Sequence, residues 1–293
     1  MAYPMLDGVV GEYCLVVLDD QPARILPLTD SLVHTFLEPT DDALFYEVLQ
    51  IRQGVPVFWD DHIARLQHTW RTATGEVPKT ERLLDQAAEF LNYVDISQGN
   101  LKIVQSKEVT LIYLSDWYYP TKTMFDCGVS CGIMEWEREN PNVKQIHSDY
   151  KQAVAEAFLR LGPEGKFFEL LLQDRKGYFT EGSRSNLFFT AGNEVYSPPD
   201  ELILLGITRK YVLGAIERAG FVLKEQLLTF DEVRAGQAEG AFITGSPIDV
   251  LPIRGIENFY FAEDIPASIK AIQSAYWEQV SHIVERDRRR FYN

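Results

Sequence analysis

The stretch that most restricts the fold is "KFFELLLQDRKGYFTEGSRSNLFFTAGNEVYSPP", residues 166 to 199. Short runs rich in Leu and Phe alternate there with turn formers such as Arg175-Lys176-Gly177 and Gly192-Asn193. That is the pattern of strands joined by tight turns. One run is a misfit. In "TEGSRSNLFF", Glu181 and Gly182 stand immediately ahead of Leu187, Phe188 and Phe189. Strand interiors usually avoid glutamate and glycine, so this acid calls for a reason other than packing.

The rest of the chain mixes helices and strands. "EYCLVVLDD" reads as a strand and "FYEVLQIRQGVPVFW" as a hairpin turning at Gln53-Gly54. "DDHIARLQHTWRTAT" puts Ile63, Leu66 and Trp70 on one helical face, with Asp60 or Asp61 to cap its start. "KTERLLDQAAEFLNYV" is a second helix; "LKIVQS" and "VTLIYLSD" are strands. "WYYPTKTMFD" breaks the pattern with a proline and a polar turn. This places a connection at 119–126 between a smaller N-terminal domain, 1–118, and a larger one, 127–293. Beyond it come a strand ("CGVSCGIMEWE"), a helix capped by Ser148 ("SDYKQAVAEAFLRLG") and the strand series. A helix after "GITRK", the strands "VLKEQLL", "GAFITGS" and "VLPIRGI", and a long closing helix follow. No regular βαβ rhythm runs through this order, so the expected class is α/β with mixed, α+β-type sheets, not a doubly wound parallel sheet. Neither GxGxxG nor a Walker A motif is present.

The formal net charge of −15 argues against a nucleic-acid partner, which would need a basic face. The one basic cluster, Arg286 and Arg288 to Arg290, reads as the solvated end of the closing helix. Three cysteines, Cys14, Cys127 and Cys131, make no disulfide framework, and the five histidines show no metal-ligand spacing. No metal is therefore expected. The N-terminus has no basic n-region and the apolar runs are of strand length, so neither a leader nor a membrane span is expected and the setting is cytoplasmic.

Several segments could carry chemistry. In "LLGITRKYVLGAIERAGF", Thr208 reads as an N-cap, Ile207 and Val212 as a staple and Gly220 as C′. The helix start would offer N–H groups and a hydroxyl to an anion. "ITGSPIDVLPI" is a second such turn, with Gly245 and Ser246. Arg65 lies beside the stripe of its helix. It suits a surface pair with Asp61, or a guanidinium fork for phosphate. Of two lysines, Lys151 flanks the stripe Tyr150, Val154, Ala157, Phe158 and Leu161. Lys144, between Val143 and Ile146 at a strand end, is the better candidate for a reactive amine. Each feature taken alone is ordinary.

Their order along the chain is not. "HIARL", "NPNVK", "TEGSRSNLFF", "GITR" and "ITGS…VLPI" together resemble the class IV aminotransferase family, the fold-type IV pyridoxal-phosphate enzymes. These include branched-chain and D-amino-acid aminotransferases and aminodeoxychorismate lyase. The resemblance implies a two-domain fold with the pyridoxal 5'-phosphate cofactor in the interdomain cleft. It implies Lys144 as the Schiff-base lysine and proton shuttle, and Glu181 facing the pyridine nitrogen. Ile207 and Thr208 with the helix N-terminus, Arg65 and Ser246 would hold the phosphate. Tyr46, Thr244 and Gly245 would face substrate. The expected activity is transfer of an amino group between a small amino acid and a 2-oxo acid by a homodimer. The alternatives are a lyase of the aminodeoxychorismate type and a divergent relative without catalysis. The pattern departs from the family before Glu47, where "PTDDALFYE" stands, and at Pro247, which brings no N–H.

Overall fold

The computed structural model describes residues 3–19, 21–116, 118–137 and 148–292. The chain divides into two compact units. Unit 1 runs to Tyr118 and includes 148–149, at the start of one helix, and the last turns of the closing helix from Val280; unit 2 holds 119–137 and Tyr150–Gln279.

Unit 1 is built on a six-stranded sheet. Its strands are β1 (Val9–Leu18), β2 (Arg24–Pro27), β3 (Phe45–Arg52), β4 (Val55–Pro56), β5 (Gln98–Gln105) and β6 (Val109–Ser115), in the order β2-β1-β6-β5-β3-β4. The β3–β4 hairpin turns at Gln53 and Gly54, both at positive φ (50° and 81°), as a two-residue turn of the twisted hairpin type requires. Helices α1 (Trp59–Thr74) and α2 (Leu83–Val94), a short helix at Ser31–Thr35, a strand pair of Tyr3–Pro4 with Pro39–Thr40 and the end of the closing helix also belong to the unit. Neither Asp60 nor Asp61 caps α1. The N-cap is Phe58, buried in the left-handed region, and both acids lie within the first turn. Burial of the phenyl ring outweighs the capping preference here. Asp60 instead takes a forked pair of hydrogen bonds from Arg290, at 2.8 and 2.7 Å. The arginine cluster is thus only partly solvated, since Arg286 also pairs with the buried Asp287.

Unit 2 opens with α3 (Lys122–Cys127), β7 (Val129–Glu135) and α4 (Ser148–Ala157). The strand series follows: β8 (Glu169–Gln173), β9 (Phe179–Gly182), β10 (Asn186–Ala191) and β11 (Glu194–Ser197). Then come α5 (Ile207–Arg218), β12 (Val222–Glu225), β13 (Gly240–Gly245), β14 (Asp249–Ile256), β15 (Phe259–Tyr260) and α6 (Ala267–Phe291). The predicted stripe of α4 stops short. The helix ends at Ala157, and Leu161, 66% exposed, starts a small hairpin with Gly165-Lys166 instead.

The pairings β9-β8-β7-β14-β13-β10, closed by β9 against β10, make a ring of strands. Both parallel (β7–β8, β7–β14) and antiparallel pairs occur in it, so the sheet is mixed. Alternation fills its interior. Leu187 stands opposite Ile243 and Ile243 opposite Leu251; Phe189 stands opposite Ala241 and Ala241 opposite Ile253. All six belong to one buried cluster with Cys131, Leu171 and Phe179. Each large apolar side chain so buried contributes about 1.5–3 kcal/mol. With Leu187 and Phe189 inside, Asn186 and Phe188 face the other way. On that face Phe188 stacks on Phe242, with ring centres 4.9 Å apart.

Candidate active site

A bulge aims the acid. Leu171 of β8 pairs with Gly182, and Gln173 with Phe179, so two steps along β8 match three along β9. The extra residue reverses the in–out alternation. Phe179 lies in the interior cluster. Simple alternation would send Glu181 inward after it. The bulge instead pairs Glu181 with Asn186, whose side chain faces away from the interior. Asn186 in turn pairs with Thr244. Directly opposed residues share a face, so Glu181, Asn186 and Thr244 form one polar row across three strands. All three are buried, Glu181 to 2% exposure.

The segment before α5 lies over this row. Leu204 N donates to Glu181 Oε2 at 3.1 Å, and Asn186 Nδ2 donates to Leu204 O at 2.8 Å. Two neighbours in the row therefore hold both backbone groups of one residue. Gly206 follows at φ −65°, ψ 138° and is the N-cap of α5. A Cβ at Gly206 would lie 2.1 Å from Asn186 Oδ1, so the approach requires glycine. This corrects the expected Thr208 cap. Thr208 sits inside the first turn, 1% exposed, and the helix has no side-chain cap hydrogen bond. The close contact at Gly206 sets the start of the helix two residues earlier and turns the threonine inward. Among the described residues neither Thr208 Oγ1 nor Thr244 Oγ1 has a hydrogen-bond partner, although both are buried. Buried polar atoms are usually paired, so these two hydroxyls, one in the row and one in the first turn of the helix, are open to a polar ligand. Arg209 fixes the helix start from behind: its Nη2 donates to Ser197 Oγ at 3.0 Å and pairs with Asp200 at 2.9 Å. Burial pulls the Arg209 pKa down, and the nearby Asp200 and Glu225 carboxylates oppose this.

The other sequence candidates fall as follows. Gly245 ends β13, Ser246 is half-buried in the turn after it, and Ile248 N closes that turn on Gly245 O at 3.0 Å. The turn joins Thr244 of the polar row. The next residue, Asp249, is fully buried at φ 54° and accepts from Tyr276, Trp277 and Tyr119. Those three anchors hold the left-handed backbone there. Lys144 lies outside the described residues. In unit 1, Arg65 Nε and Nη2 form a fork on Glu47 at 2.7 and 2.5 Å, and His62 Nδ1 lies 2.7 Å from the same carboxylate. Glu47 and His62 are fully buried. Tyr46, half-buried, has the Lys102 ammonium 5.9 Å from its ring centre.

Sequence reasoning missed Asn186, Arg209, Glu47 and above all Glu169. Glu169 is 2% exposed and takes hydrogen bonds from the turn that joins β9 to β10. The one available signal was a single acid leading the apolar run "ELLL". Among the described residues no group of three or more His, Cys, Asp or Glu could hold a metal ion, and no helix is long and apolar enough to cross a membrane.

The row and the helix start above it suit a small ligand that carries an anionic group and a basic nitrogen. The family model for class IV amino-transferases matches residues 44–256, and the chain belongs to that family. It is 29% identical to a branched-chain-amino-acid aminotransferase of Pseudomonas aeruginosa over 53% of this chain, an alignment that spans only 50% of that protein. It is 27% identical to a D-alanine aminotransferase of Bacillus licheniformis (78% of this chain, 85% of that one). Similarity to an aminodeoxychorismate lyase of Bacillus subtilis is 24% identity over 85% of this chain and 91% of that one. The fold matches a branched-chain amino acid aminotransferase from T.th., solved with pyridoxamine 5'-phosphate, at TM-score 0.74 and 18% identity over 92% of this chain and 94% of that one.

Proposed function

We propose that the chain is a pyridoxal 5'-phosphate-dependent aminotransferase that moves an amino group between a small amino acid and a 2-oxo acid. The observation that carries this is the row Glu181–Asn186–Thr244 beneath the start of α5, which has no side-chain cap. When bound, the cofactor supplies an electron sink that stabilises negative charge at the substrate Cα. The residues fit it. An ionised Glu181 beside a ring nitrogen favours the protonated nitrogen, and the Leu204 amide holds the carboxylate in place. The N–H groups of Ile207 and Thr208, with the inward Thr208 hydroxyl, offer donors to a phosphate at the positive end of the helix. Ser246 adds a hydroxyl from the neighbouring turn. For Arg65 we carry over the family role, a guanidinium directed at phosphate. Within its own unit Glu47 sets the plane of that fork. Lys144 is assigned the covalent link through its amine and, once released, the transfer of the Cα proton. Tyr46, Thr244 and Gly245 are assigned to substrate contact. A cytoplasmic homodimer is the proposed form.

The breadth of the similarity to the Bacillus subtilis lyase, 85% of this chain, favours a second reading: elimination of pyruvate from an aminodeoxychorismate-like substrate. A coupled screen decides. Purified holoprotein is given L- and D-amino donors with and without several 2-oxo acids, and aminodeoxychorismate alone. Keto acid formed only with an acceptor present supports the transferase. Pyruvate released from aminodeoxychorismate without amino exchange overturns it in favour of the lyase.

A further inference from the structure

We propose that Glu169 is a positioning residue: a carboxylate that folds the turn Ser183–Arg184–Ser185 and through it aims Glu181. This rests on the assignment of Glu181 to the ring nitrogen. Glu169 is the first residue of β8, buried beside the turn. Its Oε1 accepts from Ser183 Oγ at 2.5 Å and from Leu170 N at 2.8 Å. Its Oε2 accepts from Ser185 Oγ at 3.0 Å and from Arg184 N at 3.3 Å, with the Arg184 Nε at 4.0 Å. Each oxygen thus accepts from one backbone N–H and one serine hydroxyl, so four donors converge on a single carboxylate. Hydrogen bonds to a carboxylate acceptor are the stronger kind.

The turn so held, with Gly182, is the whole connection between Glu181 and Asn186. Ser183 N donates to Leu170 O at 2.8 Å, Gly182 N to Ser185 O at 2.7 Å, and Tyr150 Oη to Ser183 O at 2.7 Å. A Cβ at Gly182 would meet Ser185 Oγ at 2.0 Å and Glu169 Cγ at 3.2 Å, so the turn is packed tightly onto the carboxylate. The bulge that redirects Glu181 ends at Gly182, where the turn begins. Glu169 makes none of the assigned cofactor contacts itself. Its role is to fix the geometry in which the extra residue of β9 is tolerated.

Glu169→Gln is nearly isosteric, yet whichever way the amide points, its NH2 meets a backbone N–H. The longer Arg184 contact is the one that yields, so the turn loosens while β8 stays paired. The test is a double-mutant cycle on holoprotein reconstituted with pyridoxal 5'-phosphate, read as the pH midpoint of the cofactor's visible absorption. Glu181→Gln is expected to move that midpoint by about 1 unit or more, the usual effect of removing one nearby charge. Glu169→Gln is expected to move it in the same direction, and the double variant to match Glu181→Gln alone. A Glu169→Gln midpoint equal to wild type, or a double variant showing the sum of the two shifts, overturns the positioning role and leaves Glu181 in place. An unmoved Glu181→Gln midpoint overturns both assignments. If Glu169→Gln does not fold, Ser183→Ala/Ser185→Ala replaces it in the same cycle, removing two of the donors while keeping the carboxylate.

Discussion

Replacing Thr208 by valine should make the apoprotein more stable and the holoprotein weaker. The Thr208 hydroxyl is buried in the first turn of α5 with no partner among the described residues. A buried hydroxyl left unpaired costs about 1–3 kcal/mol, and valine fills the same volume without it. Taking the lower figure, the apoprotein melting point should rise by about 2–4 °C. With a phosphate in place the balance reverses. A hydrogen bond to a charged acceptor is worth about 1.5–3 kcal/mol, so the cofactor should bind roughly ten- to a hundred-fold more weakly. The assay is a pair of measurements on one variant: thermal unfolding of the apoprotein, and a cofactor titration followed by absorption. An apoprotein that melts lower than wild type, or a cofactor affinity that does not change, refutes the reasoning. The first outcome would mean the hydroxyl is paired inside the protein, and the second that it does not face the phosphate.

Three further outcomes follow from the geometry. Gly206→Ala pushes a methyl into Asn186, which cannot move without releasing Leu204 O; a loss of about 1–3 kcal/mol is expected in denaturant unfolding, with weaker cofactor binding, and wild-type values for both would contradict the close approach. Burial pushes the Cys14 thiol up to about 12. Burial, with the Glu169 carboxylate nearby, likewise raises that of Cys131, whereas Cys127 is exposed. Alkylation of the native protein at about pH 8, where roughly one Cys14 in ten thousand is ionised, should therefore mark Cys127 first by mass spectrometry; equal labelling of Cys14 would sink this. The hydrogen bond from Arg290, set against a smaller burial effect, holds Asp60 below its ordinary value. Its stabilisation is thus present above about pH 4 and fades as pH falls through the lower folded value. Because Asp60 is largely exposed, the effect is small and screened by salt. The difference in urea midpoint between wild type and Asp60→Asn should close on acidification, and a constant difference would count against the pair.

Much of this was legible in the residue order because local chemistry writes it there. Gln53-Gly54 can only be a tight turn between two apolar runs, and the acid of "TEGSRSN" is conspicuous because nothing in a strand needs it. What was not legible depends on partners distant in sequence. The bulge at β9 is a choice of register against Leu171 and Gln173, which no inspection of residues 179 to 182 alone reveals. The start of α5 was placed at Thr208 by its good capping hydroxyl. The contact between Gly206 and Asn186, twenty residues earlier in sequence, decided otherwise. Arg65 suited either a surface pair with Asp61 or a fork for phosphate, and neither reading could name Glu47, the carboxylate that β3 brings to its fork. Glu169 looked like one acid before a buried strand, and its importance comes only from the turn folded over it.

The central claim is that this chain holds pyridoxal phosphate covalently through Lys144 and against Glu181. The direct measurement is the absorption spectrum of purified protein after reconstitution and removal of free cofactor, for wild type, Lys144→Ala and Glu181→Gln. The account predicts a visible band in wild type that resists dialysis, its loss in Lys144→Ala, and a retained but altered band in Glu181→Gln. No band in wild type with excess cofactor, or an unchanged band in Lys144→Ala, would contradict it.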